Sequence, residues 1–166
     1  AELDEDQEAE LERQFAREYH LITRPDRMAK VAADLTDHFL GRGYRGKAMM
    51  VCIDKAAAIR MYDLVQVEWQ ARIDALAAEL AGAEAEARDE LAARLEDMQA
   101  TDMAVIVSSA QNEAADLAEK GVDISPHRRR MEAEDLDEKF KDPADPLRLV
   151  FVCAMWITGF DAPSIS

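Results

Sequence analysis

The amino-acid sequence predicts an α/β fold built on a parallel sheet. Three short apolar runs carry the expectation: residues 48–53 (AMMVCI), 103–107 (MAVIV) and 147–152 (LRLVFV). Each has the length of a strand covered on both sides. Between them lie stretches of helical periodicity, and strands separated by helices imply right-handed βαβ crossovers in one parallel sheet.

Taken in order, residues 1–20 are polar and acidic, with Leu11, Phe15 and Tyr19 spaced four apart. They suit a short amphipathic helix or a frayed leading segment, either of which fits a linker. A stronger helix starts at Pro25 or Asp26, places Met28, Val31, Ala32, Leu35 and Phe39 on one face, and stops at Gly41 and Gly43. The first strand follows. Residues 55–100 are helical throughout, first with Ile59, Met61, Tyr62, Val65 and Trp69, then with a narrow stripe of Ile73, Leu76, Leu80, Leu91, Leu95 and Met98. Gly82 is the weak point, so the stretch is either a hairpin or one long helix bent there. After the second strand a short helix around 112–120 closes at Gly121. Residues 127–141 (HRRRMEAEDLDEKFK) read as a basic loop leading into a helix that buries Met131, Leu136 and Phe140. Pro143 and Pro146 punctuate the turn into the third strand.

A length of 166 residues suits one domain with a sizeable core. No basic-then-apolar leader and no run near the roughly 18 apolar residues of a membrane span is visible, so a cytoplasmic location and no membrane partner are expected. Cys52 and Cys153 sit inside apolar runs without the partner spacing of a zinc site, which favours buried thiols. The formal charge of -15 argues against a wide grip on a phosphate backbone. Any nucleic-acid contact must be local. The acid is concentrated in 1–20 and 79–102, with eight Asp or Glu against two Arg in each, while Arg128, Arg129 and Arg130 form a small basic cluster.

Several motifs dissolve on inspection. Residues 41–47 (GRGYRGK) have the spacing of a phosphate-binding P-loop, but Ala48 stands where a Ser or Thr would hold magnesium, and the segment follows a helix and opens a strand, the reverse of the working context. A helix stop and turn accounts for it. Asp54 at a strand end fits an N-cap. His20, His38 and His127 are dispersed and assemble no catalytic or metal cluster. The leucine stripe fits helix packing more readily than a partner surface.

The terminal turn, Thr158-Gly159-Phe160-Asp161-Ala162-Pro163, stands apart. Gly159 permits close approach of the backbone to a ligand, Asp161 can accept two hydroxyl hydrogen bonds of the kind a sugar diol offers, and Pro163 fixes the exit. A plain strand-end turn fits the same residues.

The order AMMVCI, then MAVIVSS, then LDEKFKDPADPLRLVFVCAMWITGFDAPS resembles the second RecA-like motor lobe of the restriction (R) subunit of type I restriction-modification enzymes, a branch of the superfamily 2 helicase-like translocases. The likeness covers residues 21–166 and is most specific over 140–164 and least specific over 71–100. It implies a RecA-like three-layer sandwich, incomplete at its C-terminus, with a long helical insertion at about 71–100; residues 1–20 would be a linker or N-terminal helix. By resemblance AMMVCID is helicase motif IV and ITGFDAP is motif V. Asp161 would lie near the ribose of bound nucleotide, with Gly159 allowing the approach. Thr158, Cys153 and Ala154 would lie along a nucleic-acid strand, and Ser108 and Ser109 are further candidates for phosphate contact. The parent would use ATP and Mg²⁺ to translocate double-stranded DNA, would act as an endonuclease, and would assemble with specificity and methylation subunits.

The sequence also departs from the family pattern. Ala154 stands where the family often carries an acid. No true P-loop or DEAD-like acid pair is present, and the arginine-rich motif VI is expected beyond residue 166. Phosphoryl transfer needs those groups, so the isolated segment is expected to be inactive and to bind no cofactor tightly, its phosphate-binding partner being the P-loop lobe of the same parent. An uncovered sheet edge would invite pairing with a second copy. Other readings are a lobe of a different superfamily 2 helicase and a non-catalytic helical interaction module.

Overall fold

The computed structural model describes residues 5–43 and 45–153. Within them the chain forms helices α1 (Glu5–Ile22) and α2 (Pro25–Gly41), strand β1 (Ala48–Cys52), helices α3 (Lys55–Ala81) and α4 (Ala85–Ala100), and strand β2 (Asp102–Ile106). Three short helices, α5 (Glu113–Glu119), α6 (Ser125–Ala133) and α7 (Leu136–Lys141), lead into β3 (Leu147–Cys153). The strands make one parallel sheet in the order β1-β3-β2. The architecture is an α/β sandwich with a small parallel sheet and mostly helical cover, consistent with an incomplete RecA-like fold.

The last strand takes the centre because its side chains are apolar on both faces. Leu149, Val150, Phe151 and Val152 are all fully buried. Leu149, Phe151 and Cys153 join Met50 and Cys52 of β1 and Met103 and Val105 of β2 beneath α2, α3 and α4. Val150 and Val152 pack with Ala104, Ile106, Leu136 and Phe140 on the other face, under α7. Strict alternation fails at one point. Asp102 pairs with Leu147 but Met103 with Leu149, so Arg148 is an extra residue in the ladder, a bulge that lets Leu147 and Leu149 serve opposite faces. Arg148 is thereby turned onto the ring of Phe39 and the carboxylate of Asp97.

Helix α2 begins with Pro25 in its first turn and buries Met28, Ala32, Thr36 and Phe39, a stripe at helical spacing. The Thr36 hydroxyl donates to the Ala32 carbonyl at 2.8 Å, so its burial leaves nothing unsatisfied. Phe39 meets Trp69 of α3 edge-on at 5.8 Å. Helix α3 lies across all three strands. It ends at Gly82, whose N–H reaches back to Ala78 and Glu79 carbonyls, and the chain reverses into α4. The 55–100 stretch is therefore a hairpin, with residues 71–81 continuing α3 without a break. The Trp69 indole N–H donates to the Met98 carbonyl at 2.9 Å and pins the two helices at their base. Leu76, Leu91 and Met98 are buried in the seam, so the leucine stripe is consumed inside the chain.

Two expectations are corrected. The first strand is covered only in part on its second face: Met49 packs against the cluster under α7, but Val51 and, just past the strand, Ile53 are 45% and 37% exposed. β1 is an edge strand among the described residues, and α7 packs on β3. The basic run at 127–130 is not a loop but part of α6. Pro126 sits in the first turn of that helix, and the Asp123 carboxylate accepts the Ser125 N–H at 2.8 Å just ahead of it, start signals that the arginine-rich composition obscured. Leu136 and Phe140 are buried as expected, but on the separate helix α7, which Asp135 caps by accepting the Glu138 N–H.

Residues from the centre and the periphery should respond differently to truncation. Leu149→Ala is expected to cost about 4 kcal/mol and Leu91→Ala about 2 kcal/mol, because a hairpin seam can collapse onto a cavity while a central strand cannot. Urea unfolding of the two variants measures the difference.

Candidate functional site

Because the three strands are parallel, their C-terminal ends share one rim, and ligands in open α/β sheets collect outside such a rim. The rim carries the Cys52-to-Lys55 junction of β1 and α3, the end of β3 at Cys153, and the segment 107–112 that leaves β2.

Asp54 organises the first of these. Its carboxylate accepts the Ala57 N–H at 2.7 Å as the N-cap of α3, accepts the Tyr19 hydroxyl at 2.6 Å, and lies 3.6 Å from the Lys120 ammonium. Burial alone would raise its pKa, but the hydrogen bonds from Tyr19 and Ala57 and the charge of Lys120 outweigh it and hold the carboxyl below its ordinary range. Burial and the neighbouring carboxylate push the Tyr19 phenol up to about 12. The N-cap role expected of Asp54 is observed. Tyr19 also gives α1 an anchor, since Leu11 and Phe15 remain exposed along that helix.

Ser108 and Ser109 are exposed at the end of β2. The segment behind them is fastened by charged side chains that the motif reading did not single out. Glu113 opens α5 and accepts Arg128 of α6 through both oxygens, at 2.6 and 2.9 Å, and the Lys55 ammonium at 3.2 Å. The three side chains are largely buried. Burial would raise the Glu113 pKa, yet the hydrogen bonds from Arg128 and Lys55 win and lower it. Arg128 was visible only as one member of a basic run. Its acceptor lies fifteen residues away on another helix. The neighbouring Arg130 is held by Asp102 and Glu134, so the basic cluster is mostly neutralised by local carboxylates.

Cys52 and Cys153 stand opposite each other in the ladder, both free and each 7% exposed in the core beneath α3. Burial pushes the Cys52 thiol up to about 12. Cys153 turns its side chain inward, so that only its backbone lies on the rim. The other residues expected at the nucleic-acid strand and nucleotide, Ala154, Thr158, Gly159 and Asp161, lie outside the described residues. Among the described residues no cluster of three or more His, Cys, Asp or Glu is placed to hold a metal ion.

The P-loop-like segment lies at the other end of the sheet. Gly41 closes α2, Gly43 turns the chain at φ 74°, and Lys47 is buried, with its ammonium donating to the Lys139 carbonyl at 2.7 Å near the end of α7. Lys47 anchors α7 and does not serve a phosphate. A cleft of 340 Å³ opens beside it, lined by Arg45, Asp97, Asp145 and Arg148, where Asp97 pairs with both arginines. No described helix is long and apolar enough to cross a membrane.

Comparison with known proteins points in one direction. The chain is 27% identical over 154 residues to the putative type I restriction enzyme MjaIXP endonuclease subunit of Methanocaldococcus jannaschii, covering 91% of this chain and 11% of that protein. It is 26% identical over 148 residues to the type I restriction enzyme HindI endonuclease subunit of Haemophilus influenzae, covering 86% of this chain and again 11% of the relative. No family model and no solved structure matches. The chain is thus similar over most of its length to endonuclease subunits of type I restriction enzymes, and it spans about a ninth of the length of these relatives. The resemblance read from its motifs is borne out.

The burial of Cys52 has a direct chemical consequence. A thiol raised from an ordinary 9.0 to about 12 holds about a thousandfold less thiolate at neutral pH. Iodoacetamide at pH 8 should therefore leave Cys52 unlabelled in the native chain and label it readily in urea, as read by peptide mass spectrometry.

Proposed function

We propose that this chain is a segment of the endonuclease subunit of a type I restriction enzyme, and that residues 21–166 form part of its second RecA-like motor lobe, acting in ATP-dependent translocation of double-stranded DNA. The observation that carries the reading is the match of nine-tenths of the chain to such a subunit. The fold supports it: a parallel sheet whose central strand is followed in sequence by the TGFDAP segment has the layout in which a motor lobe presents motifs IV and V along one rim.

In this reading Asp161 accepts hydrogen bonds from the nucleotide ribose and Gly159 lets the backbone approach it. Thr158, Ala154 and the backbone of Cys153 follow a DNA strand, and Ser108 and Ser109 meet its phosphates. Contact is confined to this rim, because a chain carrying a formal charge of -15 would repel DNA over a wider surface. The described residues do not form a complete nucleotide site. The one lysine in P-loop spacing is committed to α7, so the phosphate-binding groups, magnesium and the arginine-rich motif are assigned to the rest of the parent chain. Its partners would be duplex DNA, the specificity and methylation subunits, and its own P-loop lobe. The alternative in which 55–100 binds a partner through its leucines loses ground, since Leu91 is buried within the hairpin.

The test is made in the full-length protein. Asp161→Ala should lower DNA-stimulated ATP hydrolysis by about tenfold or more, the loss expected when hydrogen bonds to a charged acceptor worth roughly 1.5–3 kcal/mol are removed. Unchanged hydrolysis removes Asp161 from the nucleotide site.

A further inference from the structure

We propose that Glu113 and Arg128 are positioning residues that clamp the 107–112 segment, holding Ser108 and Ser109 in the geometry in which they meet a DNA backbone. The clamp is an inference from geometry alone, whereas its role toward DNA rests on the phosphate contact proposed above.

The segment is gripped on both sides. Arg128 donates to the Val107 carbonyl at 3.2 Å and to the Ser108 carbonyl at 3.1 Å, while Glu113 accepts the Ala110 N–H at 3.3 Å. The chain then turns through Asn112 at φ 56°, a left-handed conformation that asparagine tolerates, into α5. The two clamping side chains hold each other by a bidentate pair, and Lys55 adds a third charge from the start of α3. Two of the three rim segments, the β1–α3 junction and 107–112, are therefore tied to one carboxylate.

Arg128 is suited to this role and not to gripping phosphate itself. An arginine has five N–H donors, and here they meet both Glu113 oxygens, the Val107 and Ser108 carbonyls and, more weakly, the Met131 sulfur at 3.7 Å. None is left over for a ligand. A lysine offers a point charge and cannot reproduce that planar fork. The carboxylate of Glu113 is the more telling member, because a negative charge beside a phosphate-contacting loop works against DNA binding unless it has another task.

That conflict fixes the experiment. In the full-length protein, Glu113→Gln removes a negative charge from the rim, so electrostatics alone would tighten binding of a fluorescein-labelled duplex. The clamp requires the opposite: a several-fold rise in Kd, with amide hydrogen exchange at residues 108–112 accelerated about tenfold and exchange in β2 and β3 unchanged. Arg128→Lys, which keeps the charge, should show the same pair of effects and guards against a folding defect in either variant alone. Tighter duplex binding by Glu113→Gln, or unaltered exchange at 108–112 in both variants, overturns the clamp. The double variant Ser108→Ala with Ser109→Ala separates the two layers. Weakened duplex binding supports the contact on which the positioning role rests; unchanged binding, with exchange still accelerated in the clamp variants, overturns that contact and the role toward DNA together.

Discussion

The structure depends on a single demand, that β3 be paired and covered on every side. A strand written LRLVFVC cannot face water on either surface, and its backbone must find ladder partners along both edges. It finds them in β1 and β2, segments drawn from distant parts of the chain. Once β3 sits between them, α3 has a flat apolar surface to cross, α7 has the opposite face to close, and the three strand ends are aligned on a common rim. The rim proposed as the functional surface is thus a consequence of core packing, and the loops that carry it inherit their positions from the most buried strand.

This order of causes explains which features were legible in the sequence. Strands β2 and β3 were, because burial leaves a continuous apolar run that needs no partner to be recognised, and β1 carries a similar run although Val51 is exposed; so was α2, because Met28, Ala32 and Phe39 recur at helical spacing. The failure of the P-loop-like segment to be a P-loop was legible as well, from its helix-to-strand context. What could not be read were properties of pairs. The exposure of Val51 depends on β1 lying at an edge. The bulge at Arg148 depends on how β2 meets β3. The hairpin at Gly82 depends on Trp69 finding the Met98 carbonyl. The Glu113–Arg128–Lys55 cluster was equally hidden, since its members sit in three unremarkable polar contexts and acquire meaning only when α3, α5 and α6 converge. Helix α6 is hidden for a different reason: the arginine run presents itself first as charge, while the helix starts on Pro126 with Asp123 accepting the Ser125 N–H just ahead of it. Of the candidate site, Ser108, Ser109 and Cys153 lie at the rim, and Ala154, Thr158, Gly159 and Asp161 are outside the described residues.

Electrostatics follow the same geometry. The acidic excess opposes the proposed contact with DNA, but the basic residues are not scattered among it at random. Arg130 and Arg148 are each committed to carboxylates that stitch elements of the fold together. At the rim Asp54 and Glu113 keep depressed pKa values because their hydrogen bonds and partner charges outweigh burial. Their stabilising effect is present at neutral pH and is lost as pH falls below the ordinary carboxylate range, through their lowered values. Acid should therefore loosen the rim segments while leaving the apolar centre of the sheet to its own, pH-independent packing.

In the proposed function the C-terminal rim of the β1-β3-β2 sheet is the working edge of a motor lobe. A structure of the full-length protein bound to duplex DNA and a non-hydrolysable ATP analogue tests it most directly. If that rim is the working edge, the DNA backbone lies within hydrogen-bonding distance of Ser108 or Ser109 and the nucleotide ribose beside Asp161. Density for DNA and nucleotide against the opposite rim, around Lys47 and Arg148, or on neither, would contradict it.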